Sequence, residues 1–112
     1  MIKVPLEAHD ISQMRLWRQQ VFEIYDRYKT VFEDYGLDED LRNLLNNLYY
    51  LLTMLCTKLP YQLKIARVRE FLSELDRFRV FSLRYLGRIA EQLYRDVREV
   101  IVGFNVSEVV EE

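Results

Sequence analysis

The sequence predicts an all-α fold, a single-domain bundle of four antiparallel helices, or of three if the last two run together. Three observations lead there. Apolar residues recur at steps of three and four over most of the chain, the spacing of a helix face. Only three Gly and two Pro occur in 112 residues, too few turn formers for the hairpins of a β-sandwich or barrel. Half of the residues are hydrophobic and 13% are aromatic, which suits one buried core and excludes disorder despite 30% charge. The expected organisation is an extended segment over residues 1–9, a helical bundle over 10–104 and an acidic tail over 105–112.

The first helix is expected over residues 11–35. Asp10 stands at its start with Gln13 three residues on, a capping-box pair. Met14, Trp17, Val21, Ile24, Tyr28, Val31 and Tyr35 form its core stripe, which Phe22, Tyr25 and Phe32 widen. Gly36 suits the left-handed residue that ends a helix. Asp38-Glu39-Asp40 then opens a second helix, where acids meet free N–H groups and the positive end of the dipole. Leu41, Leu44, Leu45, Leu48, Leu51, Leu52, Leu55 and Cys56 make its apolar face, and Asn43, Asn46, Asn47, Thr53 and Thr57 the other. Pro60 is the expected stop.

From Tyr61 to Gly103 the pattern reads as continuous. Ile65, Val68, Leu72 and Leu75 share a face, and at 100° per residue Leu86, Ile89, Leu93, Val97, Val100 and Phe104 extend it. Arg79 and Ser82 interrupt the stripe. A helix of about 40 residues is rare in so small a domain, so the reading is two helices with a turn near residues 78–82. One long kinked helix is the alternative.

Catalytic equipment is missing from the sequence. His9 is the sole histidine, so no ordinary zinc ligand set assembles. Cys56 is the sole cysteine, which excludes an internal disulfide, and its leucine-rich face reads as that of a buried, inert thiol. The Asp38–Asp40 cluster has no EF-hand spacing, and neither a phosphate loop nor a Gly-x-Ser-x-Gly elbow occurs. The expectation is a protein that is not an enzyme, with no metal, no cofactor and no small-molecule substrate. The longest apolar run, Leu48–Leu52, is far short of a membrane span, and the amino terminus lacks a signal-peptide pattern. A cytoplasmic location is expected.

Arginine is unevenly placed. The segment from Lys58 to Arg98 holds ten Lys/Arg against five Asp/Glu, whereas the flanking segments are net acidic and the whole chain carries a net charge of −2. Twelve of the sixteen cations are Arg, which favours directional, bidentate contacts with phosphate. On a continuous last helix Arg84, Arg88 and Arg95 lie within about 40° of one another, with Arg98 slightly further round. Arg67, Arg69, Arg77 and Arg79 extend the positive region, and Arg15 and Arg18 suggest a second patch beside Gln19. These are the candidate nucleic-acid-binding residues. Against them, Glu91 is spaced to pair with both Arg88 and Arg95, and Glu70, Glu74 and Asp76 dilute the earlier cluster. A solvated, salt-bridged face or an acidic protein partner therefore remains open. Trp17, Tyr28, Tyr35, Phe71 and Phe78 stand at core spacing, leaving Tyr49, Tyr50, Phe81 and Tyr85 for a partner surface.

The stretches Asp40-Leu-Arg-Asn-Leu-Leu-Asn-Asn-Leu48, Lys58-Leu-Pro-Tyr-Gln-Leu-Lys-Ile-Ala-Arg67, Val68-Arg-Glu-Phe-Leu72 and Phe81-Ser-Leu-Arg-Tyr85 resemble, in order and texture, the small helical subunits of CRISPR RNA-guided (Cascade-like) effector complexes. The resemblance covers residues 40–98. It implies a non-catalytic subunit that stacks in copies beside other protein subunits, basic residues facing the guide–target duplex or the displaced DNA strand. Some members of that family start inside a large-subunit gene, and an opening such as Met1-Ile-Lys-Val-Pro5 fits such a start. The competing expectation is a helical protein–protein interaction module, such as an adaptor, inhibitor or viral structural protein, with homo-oligomeric packing.

Overall fold

The computed structural model describes residues 11–57 and 59–102, with side-chain surroundings from Arg15 onward. Four helices follow one another: α1 (Ile11–Asp34), α2 (Asp38–Leu55), α3 (Tyr61–Leu86) and α4 (Arg88–Val102). Among the described residues there is no strand. Each helix packs mainly against its two neighbours, in the cyclic order α1, α2, α3, α4. Short connections reverse the chain between neighbours: α2 and α3 meet at both Asn47–Glu74 and Leu55–Lys64, α3 and α4 meet at Arg79–Glu91 across Gly87, Arg18 meets Tyr49 across α1 and α2, and Arg27 joins α1 to Asp96 of α4.

α1 ends as its sequence dictates. Gly36 adopts φ +72°, Leu37 N–H donates to Phe32 O at 2.8 Å and Gly36 N–H to Glu33 O at 3.0 Å. This is the paired Schellman closure, and the buried Leu37 and Phe32 supply its apolar contact. Two core assignments fail on α1. Tyr35 lies beyond the last helical turn and is 55% exposed, and Phe22, read as widening the stripe, points outward at 65% exposure, whereas Phe32 is fully buried. Phe32 stacks on Phe78 of α3 at 5.9 Å and meets Tyr28 edge-on at 6.3 Å. Trp17, Val21, Ile24 and Tyr28 complete the buried stripe. Asp10, Gln13 and Met14, read as cap and first core position, lie outside the residues whose side chains are described.

α2 buries all seven expected leucines. Burial of each contributes about 1.5–3 kcal/mol. Its acids occupy the first turn, but the residue before them is Leu37 and no side chain caps the helix, so their contribution is to the dipole. The helix stops at Leu55, five residues ahead of Pro60, and Pro60 stands instead at the start of α3. Cys56 is half-buried rather than enclosed.

The bundle's least expected core member is Lys64. It is 1% exposed, in line with Val68, Phe71, Leu75, Ser82 and Leu86 on the inner face of α3. Its ammonium donates to Leu55 O at 3.0 Å, the carbonyl end of α2. A cation there meets the negative end of the helix dipole and an orphan carbonyl together. Ser82, read as an interruption, is also buried, its hydroxyl donating to Phe78 O at 2.7 Å. Ile65 and Leu72, by contrast, are only half-buried.

The turn between the last two helices lies at Gly87, not near residues 78–82, and the long-helix alternative fails with it. Gly87 N–H still closes the α3 ladder on Leu83 O at 3.1 Å, and Gly87 O already accepts from Ala90 N–H at 3.0 Å. One residue thus ends one helix and starts the next. Its φ of +52° and ψ of −119° match the first central position of a type II′ turn, a backbone that favours glycine strongly.

Candidate nucleic-acid interface

Gly87 redistributes the candidate arginines. Arg84 belongs to the last turn of α3, while Arg88 opens α4 and Arg95 and Arg98 follow on it. The single continuous arginine helix expected from spacing is therefore replaced by a corner. Arg88 and Arg95 stand opposite the buried positions Leu93, Val97 and Val100, about 10 Å apart along the helix. Arg84 likewise stands opposite Leu75, Ser82 and Leu86 on α3. All three are exposed and make no hydrogen bond or ion pair with another described residue.

The other candidates divide differently. Arg79 is held on three sides. It bonds Asp76 at 2.7 Å and Glu91 at 3.2 Å, and its guanidinium lies 4.7 Å from the centre of the Tyr94 ring. Its hydrogen bond to Asp76 raises its pKa further, against the opposing effect of burial. Its Nε is buried without an acceptor among the described residues, so this arginine ties α3 to α4 and presents little to a ligand. Glu91, expected to neutralise Arg88 and Arg95, is taken by Arg79 instead. Arg98 is half-buried and engaged, its guanidinium 5.7 Å from the Tyr94 ring centre. Arg67 pairs with Glu70 at 3.0 Å, Arg77 donates to Ser73 Oγ at 3.1 Å, and Arg69 is exposed but engaged.

What remains at the corner is a patch of one sign. Residues 77–90 contain four Arg and not one Asp or Glu. Val80, Phe81, Leu83 and Tyr85 are exposed within it, and the Phe81 and Tyr85 rings meet at 5.9 Å. The amino end of α4 adds its own partial positive charge, and Arg88 sits upon it unopposed until Glu91. Like-signed charge without a partner is unfavourable in isolation and is relieved by an anion. Guanidinium groups beside exposed rings also suit a nucleic-acid strand, whose phosphates take the cations while its bases stack.

The second predicted patch survives in part. Arg15 is exposed and has no partner among the described residues. Arg18 donates to the Tyr49 hydroxyl at 3.1 Å and lies over its ring. Gln19 turns away to Glu23 at 3.2 Å.

Sequence reasoning missed the Arg27–Tyr28–Asp96 cluster. Tyr28 donates to Asp96 Oδ2 at 2.6 Å and Arg27 reaches the same oxygen at 2.8 Å, joining α1 to α4. Burial, with the Asp96 carboxylate behind it, pushes the Tyr28 phenol up to about 12. Burial also raises the Cys56 thiol, with Lys64 pulling weakly the other way, so the thiolate that reactivity needs is scarce at neutral pH. Among the described residues no group of three or more His, Cys, Asp or Glu stands close enough to hold a metal ion, and no helix is long and apolar enough to cross a membrane. His9 lies outside the described residues. No protein-family model, curated protein or solved structure matches this chain.

Proposed function

We propose that this chain is a non-catalytic assembly subunit that grips a nucleic-acid backbone at the α3–α4 corner, with Arg84, Arg88 and Arg95 as its phosphate contacts. One observation carries the reading: the acid-free segment 77–90 places two partnerless, exposed arginines on either side of Gly87, next to exposed Phe81 and Tyr85. The sequence pI near 5.5 suits a subunit that meets nucleic acid inside a larger complex better than an autonomous binder. The resemblance over residues 40–98 favours a place in a CRISPR RNA-guided interference complex, against guide–target duplex or displaced strand. Finding genes for an RNA-guided nuclease apparatus beside this one would support that placement, and not finding them would remove it without touching the corner.

Anisotropy titrations of the full chain with labelled single-stranded DNA, single-stranded RNA and duplex test the corner. Binding should be weak and steeply salt-dependent. Arg84→Glu with Arg88→Glu should weaken it at least tenfold across sequences and flatten the log–log salt slope by roughly 1.4–1.8, with helicity unchanged. Arg67→Glu serves as the control, since that side chain is already paired. Equal affinity in the corner variant and the parent would end the proposal.

A second reading, a helical interaction module with homo-oligomeric packing, is favoured by the exposure of Tyr50, Phe81 and Tyr85. A salt-independent homodimer disrupted at those rings would select it.

A further inference from the structure

Away from the corner, α1 and α2 leave a groove of 420 Å³ lined by Val21, Phe22, Tyr25, Leu45 and Tyr49, with Arg18, Arg42 and Asn46 at its edges. Val21 and Leu45 are buried and form its floor, while Phe22 is 65% exposed in the middle. Each end carries an arginine and a tyrosine. At one, Arg18 donates to the Tyr49 hydroxyl at 3.1 Å; at the other, Arg42 and Tyr25 line the wall together. Arg42 and Tyr49, the tyrosine that holds Arg18, are seven residues apart on α2, so the two arginines mark the ends of a slot about 10 Å long. Among the described residues no carboxylate lines the groove. Asp38 reaches Arg42 from outside at a long 3.5 Å, and partnerless Arg15 adds charge one turn before Arg18.

We infer that this groove is a docking site for an amphipathic helical segment of a partner protein that presents a large apolar side chain between two carboxylates. The apolar anchor would cover Phe22 and displace water from the Val21–Leu45 floor. Carboxylates about two turns apart on the incoming helix match the separation of Arg18 and Arg42, and each would add a charge-assisted bond to a guanidinium at the groove's edge. Nucleic acid suits the slot less well. Its floor is aliphatic, and the Tyr49 hydroxyl is already committed to Arg18. The site lies on a different helix pair from Arg84 and Arg88, so it supplies a protein contact in addition to the proposed nucleic-acid contact.

Selection of displayed random peptides of about 16 residues, roughly 24 Å as a helix, on the full chain provides the test. Enriched sequences should carry an aromatic or leucine residue with Asp or Glu three or four positions to either side. A synthetic copy of an enriched peptide should lose at least tenfold in affinity on Phe22→Ala and on Arg18→Glu with Arg42→Glu, while a copy with lysines for its acids should not bind. Because Phe22 is largely exposed, Phe22→Ala should retain parental helicity and thermal midpoint. Arg84→Glu with Arg88→Glu should leave peptide affinity unchanged, which separates this site from the corner. No enrichment, enrichment of basic peptides, affinity indifferent to Phe22→Ala, or displacement of the peptide by single-stranded oligothymidylate would each overturn the inference.

Discussion

Arg79 and Arg84 stand five residues apart on one helix and live in opposite circumstances. Arg79 faces the α4 seam and is consumed there by two carboxylates and a tyrosine ring. Arg84 faces outward at the corner with no described partner. The same contrast separates buried Lys64, closing the carbonyl end of α2, from exposed Arg88 at the amino end of α4. One set of cations supports the packed bundle, and the other leaves its charge outward. A count of arginines along a segment therefore says little until the carboxylates have been matched to them in space.

If the division is sound, substitutions should sort into those that move stability and those that move binding. Lys64→Ala should have the largest effect on stability, about 2–4 kcal/mol, because it leaves a cavity and strands the Leu55 carbonyl. Chemical denaturation checks it, and Lys64→Met should recover part of the packing but not the carbonyl bond. The corner pair Arg84→Glu and Arg88→Glu comes next, with its tenfold or greater loss of nucleic-acid affinity at an unchanged unfolding midpoint. A fall in stability there would blur the two classes. Arg79→Ala should lower stability by about 1–2 kcal/mol by unpairing Asp76 and Glu91 and uncovering Tyr94, and should leave nucleic-acid affinity within about twofold. A larger loss of binding would move Arg79 into the interface.

The Tyr28 phenol gives a pH test of the α1–α4 contact. Its proton is held more tightly in the folded chain than in the unfolded one, where it leaves near pH 10. Its stabilising contribution is therefore complete below about pH 10 and is lost as pH rises through about 12. Unfolding curves of Tyr28→Phe should lack that part of the alkaline decline, and identical declines in both proteins would dismiss ionisation of Tyr28 as the cause. Arg27→Ala should be the mildest change, at most about 1 kcal/mol, since its guanidinium is mostly solvated.

Much of the bundle was legible before any coordinates. The leucine face of α2, the Trp17–Tyr28 stripe and the Gly36 stop follow from periodicity and backbone chemistry. The α3–α4 boundary did not follow, for a physical reason. Leu86, Ile89, Leu93, Val97 and Val100 keep phase with the α3 face because both helices turn toward one core, so the stripe passes through the turn without a break. Gly87 was the signal available, an isolated glycine in an otherwise helical run. The pairing of Arg79 with Asp76 is visible as a one-turn spacing, but its pairing with Glu91 exists only because the chain doubles back. Burial of Lys64 is equally hidden, since it depends on where α2 happens to end. Its place four residues ahead of Val68 and seven ahead of Phe71 was the one available hint.

The reversal at Gly87 also bears on how copies of the chain would entangle. Apart from its chain neighbours, no atom of the described residues lies within 4 Å of where a side chain would begin there, so a bulkier residue meets a backbone penalty before any crowding. Gly87→Val would push that backbone toward an ordinary right-handed turn, letting α3 and α4 fuse into one rod of about 60 Å. The amphipathic arm so released would find the α1 face it lost only on another molecule. Such a chain should elute from a sizing column as an interlocked pair, in which Asp96 of each copy reaches Tyr28 of the other.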